Sequence, residues 1–369
     1  MFHWIWKSLF KQPGSLTGSA LGIAFAFILV IFFDAVWQGE SEQIIAYPDN
    51  VKPDIWVMQS GVSNMHMASS FVWDWKADKI ARIPGVKQVT PILYLNNVIT
   101  AGETKMFAFI VGLLPDAQRA GPWSMSAGRQ IKNSGEAVIP DILSNLTGVN
   151  IGDQLSITDK TFTVVGLSSG TYSSANAVLF VPFNDLEDIL SSTGTYSYLL
   201  VDVDDGINAK TLAEQIRYEV DKVNVLLHDE FIRNDFSLAR QMGVEVIIIM
   251  TVICSVLAAL IVAFTSYSLV MSKRQEIVII KALGAKNRSI FFSVIFQSGL
   301  VTMFGFILAV VFAIFIIPSI PMLVPQLTLI VSMSSLLQLG VIAFVVAILG
   351  ALLPTHLVLR LDPAAAFHV

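Results

Sequence analysis

Charge is what this sequence lacks most. Only 14% of its 369 residues are Asp, Glu, Lys or Arg, and 54% are apolar, whereas about a quarter of the residues in a soluble domain are charged. The deficit is greatest near the C-terminus, where residues 289–359 contain no Asp, Glu, Lys or Arg. A surface of that length without charge could not stay in water, so the composition excludes an ordinary soluble protein.

Cysteine and catalytic motifs are also scarce. Cys254 is the only cysteine, so no intramolecular disulfide can form. The chain has no Gly-rich phosphate loop, no His-Glu-x-x-His and no Gly-x-Ser-x-Gly, the patterns that ATPases, metalloproteases and serine hydrolases need. We therefore predict a non-catalytic chain without a cofactor, and we interpret its acidic residues as a solvated surface.

One patch has side chains suited to a soft metal. Met58, Met65, His66 and Met67 lie close in sequence, and thioether and imidazole groups suit Cu(I). The glycine and serines around them favour a mobile loop with exposed apolar tips instead. We therefore predict no metal site.

Four stretches are long and apolar enough to cross a bilayer, which takes about 20 residues. They are residues 14–37, 244–271, 290–317 and 333–353. Three prolines in the connection 318–332 predict a short, bent link rather than a helix. None of the spans carries a charge at mid-depth, which argues against a proton-coupled transporter.

The basic residues near the membrane define an orientation. Lysines precede the first span, Lys and Arg crowd the loop 272–289, an arginine follows the fourth span, and the loop 318–332 has none. By the positive-inside rule, both termini, including the tail 354–369, and the loop 272–289 are cytoplasmic, and residues 38–243 lie outside. The first apolar run is too long for a cleaved signal and has no Ala-x-Ala site after it. We predict a multi-pass protein of the bacterial inner (plasma) membrane.

The outer segment 38–243 is the only large soluble part, and about 200 residues can bury a core. Its pattern predicts an α+β extracytoplasmic (periplasmic) domain inserted between the first and second spans, with room for two lobes. Its proline-free flanks, 38–47 and 229–243, favour stalk helices, although ordinary linkers are the alternative. Periodicity predicts helices over 76–83 and 208–222, and strands over 54–59, 88–95, 106–112, 137–139, 154–157, 161–166, 177–181 and 196–203.

Two cytoplasmic segments are amphipathic. Residues 1–13 combine aromatic residues with lysines and predict a helix lying in the membrane interface. Within the loop 272–289, a short helix would place Ile277, Ile280 and Leu283 on one side, and Gly284 is suited to end it. Such a helix favours a groove on a cytoplasmic partner, although a simple positive-inside anchor is the alternative.

The same loop carries a recognisable pattern. Arg274-Gln275-Glu276-Ile277 followed by Lys281-Ala282-Leu283-Gly284-Ala285 resembles the RxxEIGxxKALGA signature of the MacB/FtsX/LolC-type (type VII, mechanotransmission) ABC permeases. Residues 128–167 resemble that family's extracytoplasmic core, and residues 361–366 resemble its LDPAEAL tail. Residues 110–116 and 294–297 are similar to the DevC-like branch. Val278 stands where the signature has a glycine.

The resemblance implies a permease dimer, homo- or heteromeric, on cytoplasmic ABC ATPase subunits, which must be separate chains because the fused ATPase of MacB is absent. It implies a coupling helix whose ATPase-contacting residues are Arg274, Glu276, Ile277, Ile280, Lys281, Leu283, Gly284 and Ala285. ATP-driven movement would reach the outer domain for export or extraction of a lipid, lipoprotein, peptide or hydrophobic small molecule, in contact with membrane lipids. The DevC-like branch would add a periplasmic membrane-fusion protein. The alternative is an FtsX-like signalling subunit that regulates a periplasmic partner.

Overall fold

The computed structural model describes residues 13–66, 69–115, 117–172, 177–239, 245–324 and 327–359. The chain divides into two compact units. One, the membrane unit, comprises Met1–Gln38, Val246–Met322 and Leu329–Val369, and the other, the extramembrane domain, comprises Gly39–Glu245 and Leu323–Thr328. The predicted interfacial helix at residues 1–13, apart from Pro13, and the tail motif at residues 361–366 lie outside the described residues.

The helices are labelled in chain order. They are α1 (Pro13–Ile44), α2 (Ala46–Val51), α3 (Asp74–Ala81), α4 (Asp141–Thr147), α5 (Phe183–Leu190), α6 (Ala209–Glu219), α7 (His228–Ala239), α8 (Glu245–Ser272), α9 (Arg274–Ala282), α10 (Asn287–Ile316), α11 (Ile320–Leu323) and α12 (Met333–Leu359).

The strands all belong to the extramembrane domain. They are β1 (Ile55–Gln59), β2 (Val72–Trp73), β3 (Val86–Ala101), β4 (Thr104–Leu113), β5 (Met125–Gly128), β6 (Glu136–Pro140), β7 (Gln154–Ile157), β8 (Lys160–Ser168), β9 (Ala177–Pro182), β10 (Thr195–Tyr196), β11 (Tyr198–Val203) and β12 (Val223–Leu227).

Four helices of the described chain are long and apolar enough to cross a membrane. The qualifying segments are Thr17–Ile44, Glu245–Ser272, Asn287–Ser319 and Met333–Leu352. A bilayer core is about 30 Å thick, and a helix rises 1.5 Å per residue, so each segment has the necessary length. The expected membrane protein with four spanning helices is therefore the architecture that the structure shows.

Small residues let these helices approach closely. A Cβ added to Gly305 of α10 would lie 2.7 Å from Ile23 Cγ2 of α1, and one added to Gly350 of α12 would lie 2.7 Å from Ala263 Cα of α8. In lipid, helices associate through close packing rather than through the hydrophobic effect, so small residues at crossings matter most.

The connection after α10 differs from the prediction. The chain continues through a 3-10 turn, Ile317–Ser319, directly into the short helix α11. Pro318 and Pro321 occupy first-turn positions, where a helix does not need the missing N–H group. The expectation of a non-helical link over this part was therefore wrong.

A continuous mixed sheet organises the extramembrane domain. Its strand order is β12-β1-β11-β3-β4-β9-β6-β8-β5, and β7 pairs with both β3 and β8. Most pairs are antiparallel, but β4–β9 and β6–β8 are parallel. The 16-residue strand β3 pairs with β11 along its first half and with β4 along its second half.

Alternation along the strands builds a core on each face of the sheet. In β1, Trp56 and Met58 face one cluster with Phe231 of α7, and Ile55 and Val57 face another. That second face carries two separate clusters, one beneath α3 and α6 and one beneath α4 and α5. Two helical layers thus lie side by side on one face of the sheet, and the domain has the expected α+β composition.

Most predicted elements of this domain are present with shifted ends. The strand over 154–157 has the predicted bounds, whereas β3 is twice as long as predicted and the strand over 196–203 is interrupted at Ser197. The helix predicted over 208–222 ends at Glu219 because the Val220 backbone is extended, with φ −112° and ψ 109°. Lys222, with a positive φ of 52°, then precedes β12. Strands β5 and β12 and helices α4 and α5 were not predicted.

Candidate functional site

The helix α9 follows a sharp break at the end of α8. The Lys273 backbone has φ −104° and ψ 10°, its N–H donates to Val270 O at 3.2 Å, and its carbonyl accepts from Ile277 N at 3.0 Å. One helix therefore stops and a new one starts within a single residue. The Lys273 side chain is buried at this corner.

One face of α9 is fixed to the membrane unit. Ile277 and Val278 are 4% and 5% exposed, and Ile277 packs in a cluster with Val270 of α8 and with Ile290 and Val294 of α10. Burying two aliphatic side chains stabilises this attachment by about 1.5–3 kcal/mol each. The helix is therefore packed on the ends of two spanning helices.

The opposite face of α9 is open. Arg274, Gln275 and Glu276 are exposed, Ile279 is 49% exposed, and Leu283 is 83% exposed. The loop after the helix is also largely exposed up to Ser289. An apolar pair framed by charged side chains is the usual composition of a short helix that lies in a partner's groove.

Gly284 occupies the turn that ends the helix. Its φ is +93°, a left-handed conformation that favours glycine. Its N–H donates to Lys281 O at 3.0 Å, and Ala285 N donates to Ile280 O at 3.2 Å. The turn presents Leu283 at the tip of the helix.

The eight predicted coupling residues therefore divide into two groups. Those on the open side are Arg274, Glu276, Leu283 and Gly284, whereas Ile280, Lys281 and Ala285 are half-buried and Ile277 is buried. The prediction that Ile277, Ile280 and Leu283 lie on one side of the helix was wrong, because Ile277 is buried and Leu283 is exposed. It overlooked Ile279, because the side facing the spanning helices could not be identified from the loop alone.

A buried polar pair in the extramembrane domain was not predicted at all. His66 Nδ1 lies 2.7 Å from Asp235 Oδ1, and the two residues are 5% and 0% exposed. The same oxygen accepts from the backbone N–H groups of Met65 at 2.9 Å and His66 at 3.3 Å. Asp235 follows the buried Phe231 by four residues on α7, and that helical spacing is the signal that could have revealed it.

The methionine-rich patch is buried rather than exposed. Met58 is 0% and Met65 is 3% exposed, because both belong to the core that Trp56 and Phe231 fill. The prediction of a loop with exposed apolar tips was therefore wrong for these residues. In the described part of the chain, no three His, Cys, Asp or Glu side chains are arranged to hold a metal.

Several acidic side chains are structural rather than solvated. The Glu136 carboxylate accepts two bonds of 2.7 Å from the Arg129 guanidinium, which with further donors holds its pKa well below the ordinary value. Asp185 accepts from Lys160 Nζ at 2.6 Å and from Gly135 N at 2.7 Å. Interpreting all acidic residues as solvated surface was thus wrong for these groups.

The chain matches two family models along most of its length. The MacB-like periplasmic core domain matches residues 15–218, and the FtsX-like permease C-terminal domain matches residues 248–363. Spanning helices joined to such a core domain define a multi-pass membrane protein with a large extramembrane part. The chain belongs to the MacB/FtsX-type ABC transporter permeases.

Individual relatives are distant but cover nearly the full length. An ABC transporter permease of Mycobacterium tuberculosis is 23% identical over 356 residues, which are 94% of this chain and 93% of that protein. A hemin transport system permease protein, HrtB, of Staphylococcus epidermidis is 22% identical over 92% of this chain and 91% of its own length. The periplasmic region of MacB from Actinobacillus actinomycetemcomitans aligns with a TM-score of 0.39 at 14% identity, covering 52% of this chain and 96% of that one.

Proposed function

We propose that this permease transmits the force of ATP hydrolysis, performed by a separate cytoplasmic ATPase, to its extramembrane domain. The observation that carries the proposal is the two-sided character of α9. Its inner face, Ile277 and Val278, is buried against the spanning helices, and its outer face presents Leu283 for a partner. A helix held on one side and open on the other can pass a displacement from partner to spans.

The proposal assigns an orientation and an assembly. The basic loop 272–289 faces the cytoplasm with both termini, the chain lies in the inner (plasma) membrane, and residues 38–243 lie outside between the first and second spans. Two permeases, identical or different, work with the ATPase subunits and contact membrane lipids. The DevC-like resemblance adds a membrane-fusion protein to this assembly. Residues at the α9 surface, chiefly Arg274, Glu276 and Leu283, contact the ATPase.

The class of transported molecule follows from the composition of the third and fourth spans. No charged residue occurs within residues 289–359, so the third and fourth spans provide no charged lining for a hydrophilic pathway. We therefore propose export or extraction of a lipid, lipoprotein, peptide or hydrophobic small molecule that reaches the outer domain directly. One relative is, by its name, the permease of a hemin transport system, and hemin is a hydrophobic small molecule.

The decisive experiment compares two leucines of equal exposure. Leu283 is 83% exposed at the tip of α9, and Leu323 is 84% exposed after the other end of α10. Replacing Leu283 with Asp should lower the amount of ATPase that co-purifies from native membranes by about 10- to 150-fold, since burying one leucine is worth about 1.5–3 kcal/mol. The control Leu323→Asp should leave it unchanged.

Two results would contradict the proposal. One is a wild-type chain that retains no ATPase after gentle solubilisation. The other is a Leu283→Asp variant, inserted normally, that retains ATPase as well as the control does. Co-purification with a periplasmic hydrolase or a sensor kinase in place of an exporter component would favour the FtsX-like signalling role.

A further inference from the structure

A cavity of about 500 Å³ lies in the extramembrane domain, where strands β4 and β9 of the sheet end. These two strands are parallel and end side by side at Leu113 and Pro182. The next strand, β6, pairs with β9 only between Val138 and Phe180, so a gap remains there that the following loops enclose. In sheets with parallel strands, crevices at the carboxyl ends of the strands are the usual place for a ligand.

The lining of this cavity is mainly apolar and comes from three separate segments. The end of β4 contributes Leu113 and Leu114, the loop before β6 contributes Ile131, and the start of α5 contributes Phe183. Leu113, Leu114 and Ile131 are only half-buried, although they pack against the cores on opposite faces of the sheet. The volume lies within the range of about 300–1,000 Å³ that is typical of small-molecule sites.

The loop before β6 is held in place by two buried carboxylates. Glu136 accepts from the backbone N–H of Lys132 at 2.9 Å, and Asp185 accepts from the backbone N–H of Gly135 at 2.7 Å. The wall that carries Ile131 is therefore fixed within the domain. A ligand that binds there needs to order little of the protein, which favours affinity.

The charge at this cavity is positive. Lys132 is exposed and is the charged residue of the lining, in which no described carboxylate takes part; Asp116, in the loop after β4, lies outside the described residues. The neighbouring carboxylates are engaged elsewhere, Glu136 by Arg129 and Asp185 by Lys160. Acidic residues outnumber basic ones by 24 to 15 over residues 38–240, so this lining departs from the charge of the domain around it.

We propose that this cavity binds an anionic amphiphile with a single alkyl chain. The chain would lie among Leu113, Ile131 and Phe183, and the acidic headgroup would lie at Lys132. A cavity of this size takes a drug-sized body, which is one chain of about ten carbons rather than the two long chains of a phospholipid. The inference narrows the class of transported molecule and for that role it rests on the proposed function, whereas the binding itself does not require the ATPase contact.

The test uses the full chain in phosphatidylcholine nanodiscs with a decanoate that carries a photoreactive diazirine. Mass spectrometry identifies the labelled peptides, which separates the cavity from spans labelled by probe dissolved in the bilayer. Saturable labelling is expected within residues 113–134. Unlabelled decanoate should compete at a free concentration at least about threefold lower than decanol or decyltrimethylammonium. It should compete about tenfold better than octanoate, because each buried methylene is worth about fourfold in affinity.

Two variants and a matched control test the assignment of the residues. Lys132→Gln should weaken competition by decanoate at least about threefold and leave that by decanol unchanged, because only the charge is removed. The control Lys105→Gln, an exposed lysine on β4, should behave like the wild type. Ile131→Glu places a carboxylate in the apolar wall and should weaken labelling at least about tenfold. Circular dichroism checks that each variant is folded, and if Ile131→Glu does not fold, Lys132→Gln decides the question by itself.

Four outcomes overturn the proposal. They are no saturable labelling within residues 113–134, competition by decanol or decyltrimethylammonium as strong as that by decanoate, an effect of Lys105→Gln equal to that of Lys132→Gln, and equally strong competition by dioleoylphosphatidylglycerol, which has two chains. Absence of labelling in a chain that retains its ATPase contradicts this inference alone. Normal labelling in a chain that retains no ATPase contradicts the proposed function alone.

Discussion

The stack between Phe231 and Trp56 anchors helix α7 to the sheet, and truncating it is the sharpest test of how this domain is held together. Phe231 is 0% exposed, and its ring lies 4.2 Å from that of Trp56 at an interplanar angle of 7°. Its edge also meets Tyr198 at 6.1 Å. The perturbation is Phe231→Ala, which removes a ring that is completely enclosed.

The expected cost follows from that enclosure. Replacing a buried phenylalanine with alanine lowers the free energy of unfolding by about 3–5 kcal/mol, of which about 0.5–1.5 kcal/mol belongs to the aromatic pair. For a domain of about 200 residues, each kcal/mol shifts Tm by about 2–4 °C. The midpoint for the extramembrane domain should therefore fall by about 6–20 °C.

Tryptophan fluorescence of the full chain in nanodiscs, followed during heating, is a suitable assay because Trp56 and Trp123 belong to the core that Phe231 joins. The matched control is Phe107→Ala, since Phe107 is 64% exposed and its truncation should shift the midpoint by less than about 2 °C. A Phe231→Ala shift no larger than the control's would refute the reasoning, because the ring would then not anchor α7.

Two further predictions concern other parts of the chain. The pKa of Glu136 is lowered mainly by its hydrogen bonds from Arg129. Its contribution to the free energy of unfolding is therefore complete above the unfolded-state pKa of about 4.3 and is lost as the pH falls below that value. Glu136→Gln should abolish this acid-side loss in pH-dependent unfolding curves, and an unchanged dependence would exclude Glu136 as its source. In the membrane unit, Gly305→Ala should lower the free energy of unfolding by about 1–3 kcal/mol, because the added methyl would meet Ile23 at 2.7 Å. The control is Gly299→Ala, whose methyl would have no neighbour nearer than 3.5 Å. Thermal aggregation in detergent compares the two variants, and equal midpoints would argue against a close α1–α10 crossing.

The spanning helices were predictable because composition alone determines them. A run of apolar residues long enough for a bilayer needs no tertiary information. Helix ends were less predictable: α1 continues to Ile44 and α10 is followed by helical turns at Pro318 and Pro321. In the domain, the missed strands β5 and β12 are edge strands, whose half-exposed residues leave a weak alternation.

Only part of the candidate site could be predicted from the sequence, for a related reason. The loop 272–289 could be recognised as amphipathic, but which side of α9 packs inward depends on Val270, Ile290 and Val294 in neighbouring helices. The His66–Asp235 pair joins residues 169 positions apart in the sequence. The four-residue spacing from Phe231 could place Asp235 on the inward face of α7, but no local spacing identifies His66 as its partner.

Strand β3 has a mechanical consequence. It is 16 residues long, or about 53 Å at 3.3 Å per residue. Val86 and Val89 of its first half pack on the cluster beneath α3 and α6, and Leu93 and Ile99 belong to the cluster beneath α4 and α5. A hinge between the two helical layers would have to bend this continuous strand and break its pairing with β11 or β4. The layers should therefore tilt together as a stiff lever arm, so that a small rotation applied near one end becomes a larger displacement at the other.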